Sequence, residues 1–103
     1  MNDALARYQS MVEQNPDNEL ARFSLGKALF DQADYAAAKA HFAVAAANKP
    51  DWMAVQILLG RCELFLGDKA AAKPILEKAR ALAKQQGHVG PLEQVEELLR
   101  QMQ

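Results

Sequence analysis

Residues 25–50 read LGKALFDQADYAAAKAHFAVAAANKP, and residues 59–84 read LGRCELFLGDKAAAKPILEKARALAK, which is a second copy of the same pattern. Between Asp17 and Pro50, ten of thirty-four residues recur unchanged thirty-four positions later. A unit of this length cannot bury its own apolar face without a neighbour. The repetition therefore predicts helical hairpins that stack on one another.

The repeat divides the chain, which we expect to be one domain over residues 1–103. Asn15-Pro16-Asp17 corresponds to Lys49-Pro50-Asp51, so the residues before Asn15 resemble the tail of an earlier, incomplete unit. The predicted segments are a partial leading helix at 1–15, a first repeat at 17–50, a second repeat at 51–86 and a capping helix at 91–103.

Composition agrees with an all-α fold. Half of the residues are apolar, and only five glycines and four prolines interrupt the chain. Twelve basic and thirteen acidic side chains give a formal charge of −1, which argues against nucleic acid or an anionic membrane as the partner. The first residues lack a basic and then apolar signal segment, and the single cysteine allows no internal disulfide. We therefore expect a cytoplasmic protein.

Capping residues and helix breakers predict six helices. Asp17 or Asn18, then Asp34, Asp51 and Asp68, are placed to cap helix N-termini, and Pro91 suits the start of the last helix. Pro16, Pro50, Gly67 and Gly87 follow predicted helix ends. The expected helices are about 3–14, 19–32, 35–48, 52–66, 69–86 and 91–103. Their short connections within each pair require antiparallel packing.

Two features of the second unit depart from the pattern. Pro74 lies early in the fifth helix, where it removes one amide and predicts a bend or an irregular first turn. Glu63 and Lys69 occupy the places that Leu29 and Tyr35 hold in the first unit. We expect that an apolar contact has there become a Glu63–Lys69 ion pair.

The first unit resembles the tetratricopeptide repeat at nearly all signature positions, with Arg22 where the family usually has tryptophan. The second unit resembles it more loosely. The signature residues are Leu25, Gly26, Tyr35, Ala38, Phe42, Ala45 and Pro50, then Leu59, Gly60, Ala72 and Ala79. The resemblance implies a right-handed α-α superhelix. Small residues at Gly26, Ala38 and Ala45 would let the two helices of a hairpin cross closely, whatever the family.

In that family the first helix of each hairpin lines the concave face of the superhelix. Carried over, this places Leu20, Phe23, Lys27, Phe30 and Asp31 beside Ala54, Ile57, Arg61, Leu64 and Phe65. Helical spacing alone puts each set on one face. Aromatic anchors beside Lys27 and Arg61 would suit a peptide or protein segment with apolar side chains and carboxylates. A subclass that grips a C-terminal carboxylate through lysine and asparagine is disfavoured by Phe23 and Leu58.

Two alternatives remain beside the leading hypothesis of a non-catalytic interaction module. Phe23, Ile57 and Leu64 could simply pack against neighbouring helices, which would leave the two cations as solvated charges. The protein could also be a self-associating adaptor, in which Phe65 or Met102 is buried between copies. Both a monomer and a weak homo-oligomer are consistent with the sequence.

No constellation of residues indicates an enzyme, a metal site or a cofactor. His41 and His88 have no cysteine or carboxylate at metal-ligand spacing. Cys62 aligns with Ala28 and is expected to be a small buried apolar residue. No phosphate-binding loop, nucleophile elbow or dinucleotide fingerprint occurs.

Overall fold

A computed structural model describes residues 3–102 of the chain, and within them it contains six helices and no strand. The helices are α1 (Asp3–Gln14), α2 (Glu19–Asp31), α3 (Tyr35–Asn48), α4 (Met53–Phe65), α5 (Lys69–Gln86) and α6 (Val89–Gln101). This confirms the all-α fold. In the described part of the chain, no helix combines the length and apolar composition that crossing a membrane requires.

Three of the predicted N-caps form as expected. The side-chain oxygen of Asn18 accepts a hydrogen bond from the Ala21 amide at 3.1 Å. Asp34 and Asp68 each accept from the amide three residues later, at 3.3 and 3.0 Å. Each bond satisfies a first-turn amide that has no partner within its own helix. These caps fix the starts of α2, α3 and α5.

Two helix starts differ from the sequence prediction. Asp51 does not cap α4, because Trp52 holds the N-cap position and no side chain bonds there. The last helix begins at Val89, so Pro91 occupies its third position rather than its first. This is physically acceptable because the first-turn amides lack helical partners, and a proline there sacrifices no hydrogen bond.

Of the bend or irregular first turn predicted at Pro74 in α5, the irregular first turn does not form. The helix is continuous through Pro74. Its first turn is regular, since the Ala72 amide bonds the Asp68 carbonyl at 3.0 Å. The proline therefore removes a single hydrogen bond without breaking the element.

The helices form a sequential stack in which each packs on the next. Three-residue connections join α2 to α3 and α4 to α5, and Gly67 takes a left-handed conformation with φ of 85° in the second. The core runs along the stack as three apolar clusters, centred on α1 with α2, on α3 with α4, and on α4, α5 and α6. Helix α4 belongs to two of these clusters and is the central element.

Glycines mark the points where hairpin helices cross most closely. A Cβ atom added to Gly26 would lie 2.8 Å from Cε1 of Phe42, whose ring is fully buried. At the equivalent crossing, a Cβ on Gly60 would lie 2.6 Å from Cδ2 of Leu76. Both distances are far shorter than an ordinary carbon contact. The side chain opposite each glycine therefore fills the space that a Cβ atom would need.

The expected Glu63–Lys69 ion pair does not form. Glu63 is only 6% exposed, and its Oε1 lies 3.0 Å from Nζ of Lys39 on α3. This is an ion contact rather than an aligned hydrogen bond, since Oε1 meets no hydrogen-bond geometry. Position 63 faces the preceding hairpin, which explains why its partner comes from α3 and not from the following turn.

We predict that Gly26→Ala lowers the free energy of unfolding by about 1–3 kcal/mol, because the Phe42 ring is enclosed and cannot retreat. Urea denaturation followed by circular dichroism measures this. Gly90→Ala is the matched control, since a Cβ there meets nothing within 4 Å. It should be neutral or stabilising by up to about 1 kcal/mol. Equal behaviour of the two variants would contradict the close crossing.

Removing the partner of Glu63 should destabilise the fold. Lys39→Met leaves a buried carboxylate without a counter-charge, but the lysine is 42% exposed, so we expect a reduced cost of about 1–3 kcal/mol. Combining it with Glu63→Leu should recover most of the loss. Lys73→Met alters the repeat-equivalent lysine, which forms no ion pair among the described side chains, and should change stability by less than about 0.5 kcal/mol. The free energies would come from urea titrations, and a Lys39→Met variant as stable as the parent would refute the pairing.

Candidate functional site

An open groove of about 310 Å³ runs between α2, α4 and α6. Most of the residues that line it are apolar, and two of them, Lys27 and Arg61, are cations. The lining residues are Phe23, Lys27, Met53, Ala54, Ile57, Leu58, Arg61, Pro91 and Gln94. The lining includes five residues that the sequence analysis placed on the predicted concave face, namely Phe23, Lys27, Ala54, Ile57 and Arg61.

One end of the groove is built on stacked aromatic rings. Phe23 lies between Phe42 of the core and Trp52, with ring centroids 6.0 and 4.9 Å away. Lys49 Nζ lies 5.6 Å from the centre of the Trp52 ring. Phe23 is therefore both a packing residue and part of the groove surface. Trp52, the only tryptophan in the sequence, stacks on this groove residue.

The two predicted cations differ in their surroundings. Nζ of Lys27 forms a surface ion pair with Asp31 at 2.8 Å. Arg61 instead lies over the Phe30 ring, 5.0 Å from its centroid. Among the side chains that the structure describes, Arg61 has no carboxylate partner. The aromatic contact holds the guanidinium in place and leaves its N–H donors available.

A second cleft of about 290 Å³ opens where α4 and α6 end. Arg61 lines both cavities and so joins the cleft to the groove. The cleft lining comprises Arg61, Leu64, Phe65, Lys69, Leu98, Gln101 and Met102. Among the described residues, neither lining contains an acidic side chain, whereas together they contain three cations. Asp31 neutralises Lys27, so Arg61 and Lys69 supply the local excess of positive charge on a chain of formal charge −1.

Apart from the three phenylalanines, the predicted site residues separate into three groups. Lys27, Ala54 and Arg61 line the groove without being buried in the core. Ile57 and Leu64 also border a cavity, but both pack against α6, as the packing alternative anticipated. Leu20 is 68% exposed and lines neither cavity, so the structure does not bring it to the site. Asp31 lines neither cavity and is placed beside Lys27.

Phe30 and Phe65 form an aromatic cluster with Tyr35. The rings of Tyr35 and Phe65 stack with centroids 4.4 Å apart, and Phe30 meets both rings edge-on. Phe65 nevertheless stays 56% exposed and lines the second cleft. Phe65 therefore packs against the first hairpin on one side and forms part of the cleft between α4 and α6 on the other.

Sequence reasoning missed the contribution of α6. Pro91, Gln94, Leu98 and Gln101 line the cavities, and their spacing of three, four and three residues puts them on one helix face. That spacing was visible in the sequence. It was overlooked because the apolar stripe of α6 suggested a helix that only covers the core.

His41 and Cys62, whose side chains could in principle act as a base or a nucleophile, are instead part of the packed structure. Nδ1 of His41 accepts from Nη1 of Arg22 at 3.3 Å, and the pKa of His41 is lowered by burial and by that guanidinium. Arg22 also donates to the Pro16 carbonyl at 3.0 Å. Cys62 is fully buried, and burial, with a smaller effect of Glu63, raises the pKa of its thiol to about 11. Within the described residues, no cluster of potential ligands could hold a metal ion.

Sequentially stacked helical hairpins with an open groove along their first helices define a helical-repeat protein. The family model described as tetratricopeptide repeat matches residues 1–56, slightly more than half of the chain. The chain therefore belongs to the tetratricopeptide-repeat family. Members of this family generally mediate protein–protein interactions and are typically non-enzymatic.

Two individual proteins resemble the chain over most of its length. TPR repeat-containing protein PA0015 of Pseudomonas aeruginosa is 33% identical over 79 residues, which cover 77% of this chain and 75% of that protein. The solution structure of protein BPP2914 from Bordetella parapertussis superposes with a TM-score of 0.83 at 28% identity. That match covers 99% of this chain and 89% of the other. The similarity therefore extends through α6.

The buried thiol of Cys62 gives a direct test of how α4 packs in the core. We predict that Cys62 reacts with an aromatic disulfide reagent at pH 8 only when the chain opens, because the thiol is enclosed and remains protonated. The labelling rate should rise with urea in parallel with loss of helical signal. Rapid stoichiometric labelling of the folded protein would contradict the burial.

Proposed function

We propose that the protein is a non-catalytic interaction module that binds a protein or peptide segment in the groove between α2, α4 and α6. The observation that carries the proposal is Arg61, whose guanidinium is held against Phe30, has no ion-pair partner among the described side chains and lines two largely apolar cavities. Membership of a family that mediates protein–protein interactions supports the same function.

The lining specifies the chemistry of the bound segment. Apolar side chains would rest on Phe23, Met53 and Ile57, and a carboxylate would accept hydrogen bonds from Arg61. A guanidinium can donate two parallel bonds to a carboxylate, which makes the contact directional as well as electrostatic. The segment is therefore apolar with at least one acidic residue.

The size of the groove limits the affinity. It follows thirteen-residue helices that are roughly 20 Å long, so an extended segment would contact it over about six residues. An interface of this size lies below about 1,200 Å², and we expect micromolar binding from the groove alone. Such an affinity suits reversible association.

The proposal is tested by selecting binders from a displayed peptide library. Selected sequences should combine apolar residues with Asp or Glu. Their binding should alter the fluorescence of Trp52, because its ring stacks on a groove residue. Arg61→Glu should weaken binding by about tenfold or more, because it replaces attraction by repulsion next to the bound carboxylate.

Lys78→Glu is the matched control for the change of charge. Lys78 is exposed on α5 and lines neither cavity, so its replacement should leave binding unchanged. Equal weakening by both variants would mean that only overall charge matters and would overturn the proposal. Light scattering at several protein concentrations supplies a second criterion. A stable dimer that protects the groove would support self-association instead.

A further inference from the structure

Helix α4 lies next to α2 on one side and next to α6 on the other. We call the two places where these helices meet the α2–α4 junction and the α4–α6 junction, and they can be compared. Helices α2, α4 and α6 are each thirteen residues long, and they end at Asp31, Phe65 and Gln101. Each position in the α2–α4 junction therefore has a counterpart in the α4–α6 junction. A residue of the first repeat corresponds to the residue thirty-four positions later, and a residue of α4 corresponds to the residue of α6 thirty-six positions later. Tyr35 corresponds to Lys69, and Phe65 corresponds to Gln101.

Aromatic rings fill the first junction. Tyr35 and Phe65 stack with their planes 11° apart, and the edge of Phe30 closes the space against both rings. In the second junction the counterparts Lys69 and Gln101 cannot form such a stack. A cleft of about 290 Å³ lies at that place. The cleft therefore occupies the position where the first junction has its aromatic stack.

The cleft is large enough and apolar enough for an aromatic ring. A dry cavity of about 150 Å³ is sufficient to bind benzene in another protein. Leu64, Leu98 and Met102 provide apolar walls, and methionine adapts readily to the shape of a ring. The exposed ring of Phe65 forms one side and could stack on an incoming ring.

The charges around the cleft determine which type of residue is favoured next to the bound aromatic residue. Arg61 and Lys69 both line it, no acidic residue does, and neither cation has an ion-pair partner among the described side chains. A carboxylate next to the aromatic ring would meet two positive charges in the lining of the cleft. Charge complementarity thus indicates an acidic residue beside the aromatic one.

The chain's own aromatic residues with acidic neighbours are already engaged. Phe30 lies beneath Arg61, while Asp31 is paired with Lys27. Tyr35 stacks on Phe65, and Asp34 caps α3. Trp52 stacks on Phe23. A second copy would have to break one of these contacts to fill the cleft, so the observations favour a different protein.

We infer that the cleft between the ends of α4 and α6 binds an aromatic side chain of a partner protein, with an adjacent Asp or Glu held by Arg61 and Lys69. The inference rests on the proposed function and defines the partner segment more closely. The aromatic residue inserts into the cleft, and the rest of the segment continues along the groove past Arg61.

The inference is tested with N-acetyl-Asp-Phe-amide as the probe, added to the isotopically labelled full chain and followed by amide chemical shifts. We expect shifts at Leu64, Phe65, Leu98 and Met102, with a dissociation constant of about 1 mM for so small a ligand. The Asn-Phe and Asp-Ala analogues should each bind about tenfold more weakly. Absence of binding by the Asp-Phe probe at about 10 mM, or equal binding of all three, would overturn the inference.

A designed variant closes the cleft. Lys69→Tyr combined with Gln101→Phe restores the residues of the first junction, and it should abolish probe binding while raising the melting temperature. Lys69→Gln is the control that removes the charge but leaves the cleft open, and it should weaken the probe only partly. Should the double variant lack a native circular dichroism spectrum, Lys69→Glu replaces it, with a loss of at least about tenfold expected.

The outcomes separate this inference from the proposed function. Library-selected peptides that bind the parent and the double variant equally, together with unchanged probe binding, would overturn the cleft assignment and leave the groove proposal standing. No binding of either peptides or probe would overturn both. Concentration-dependent shifts of the cleft residues without any peptide would identify a second copy as the occupant and refute the inference.

Discussion

The fold depends on two close crossings where a glycine on one helix receives a large side chain from its partner. Gly26 receives Phe42, and Gly60 receives Leu76, at separations that exclude a Cβ. This contact sets how closely the helices of each hairpin approach and which faces they turn outward. Because both hairpins use the same device, α2 and α4 present equivalent faces, and a groove can extend from one to the other.

Departures from the repeat create the features that distinguish this chain. Glu63 replaces the apolar Leu29 and brings a buried charge to the α3–α4 contact, where Lys39 meets it. Lys69 and Gln101 replace the stacked pair Tyr35 and Phe65 and coincide with a cleft. Equivalent glycine crossings maintain both hairpins, while substituted positions supply charge and open volume. Differences between repeats are therefore more informative about recognition than the repeats themselves.

The helices could be predicted from sequence because their signals are local. Asp34 and Asp68 cap the helices that follow them, and the spacing of small residues identifies the crossings. The partner of Glu63 could not be predicted in this way, since it depends on how one hairpin faces another across the stack. Leu20 lines neither cavity although it shares a helix face with Phe23 and Lys27, because helical spacing identifies a face but not how far along the helix a groove extends. The spacing of the α6 residues that line the cavities was visible in the sequence, but spacing alone does not show that this face borders α4.

Net charge proved a poor guide to the candidate site. A chain with one more acidic than basic side chain has no strong overall field, yet Arg61 and Lys69 line the cavities without an ion-pair partner among the described side chains. At physiological ionic strength, screening acts over about 8 Å, so a carboxylate in the groove responds mainly to Arg61 and its immediate surroundings. Recognition by this surface is consequently short-ranged. It depends on apolar contact to bring an acidic group within reach of the guanidinium, which is why a ring that fits the cleft and a carboxylate beside it should act together.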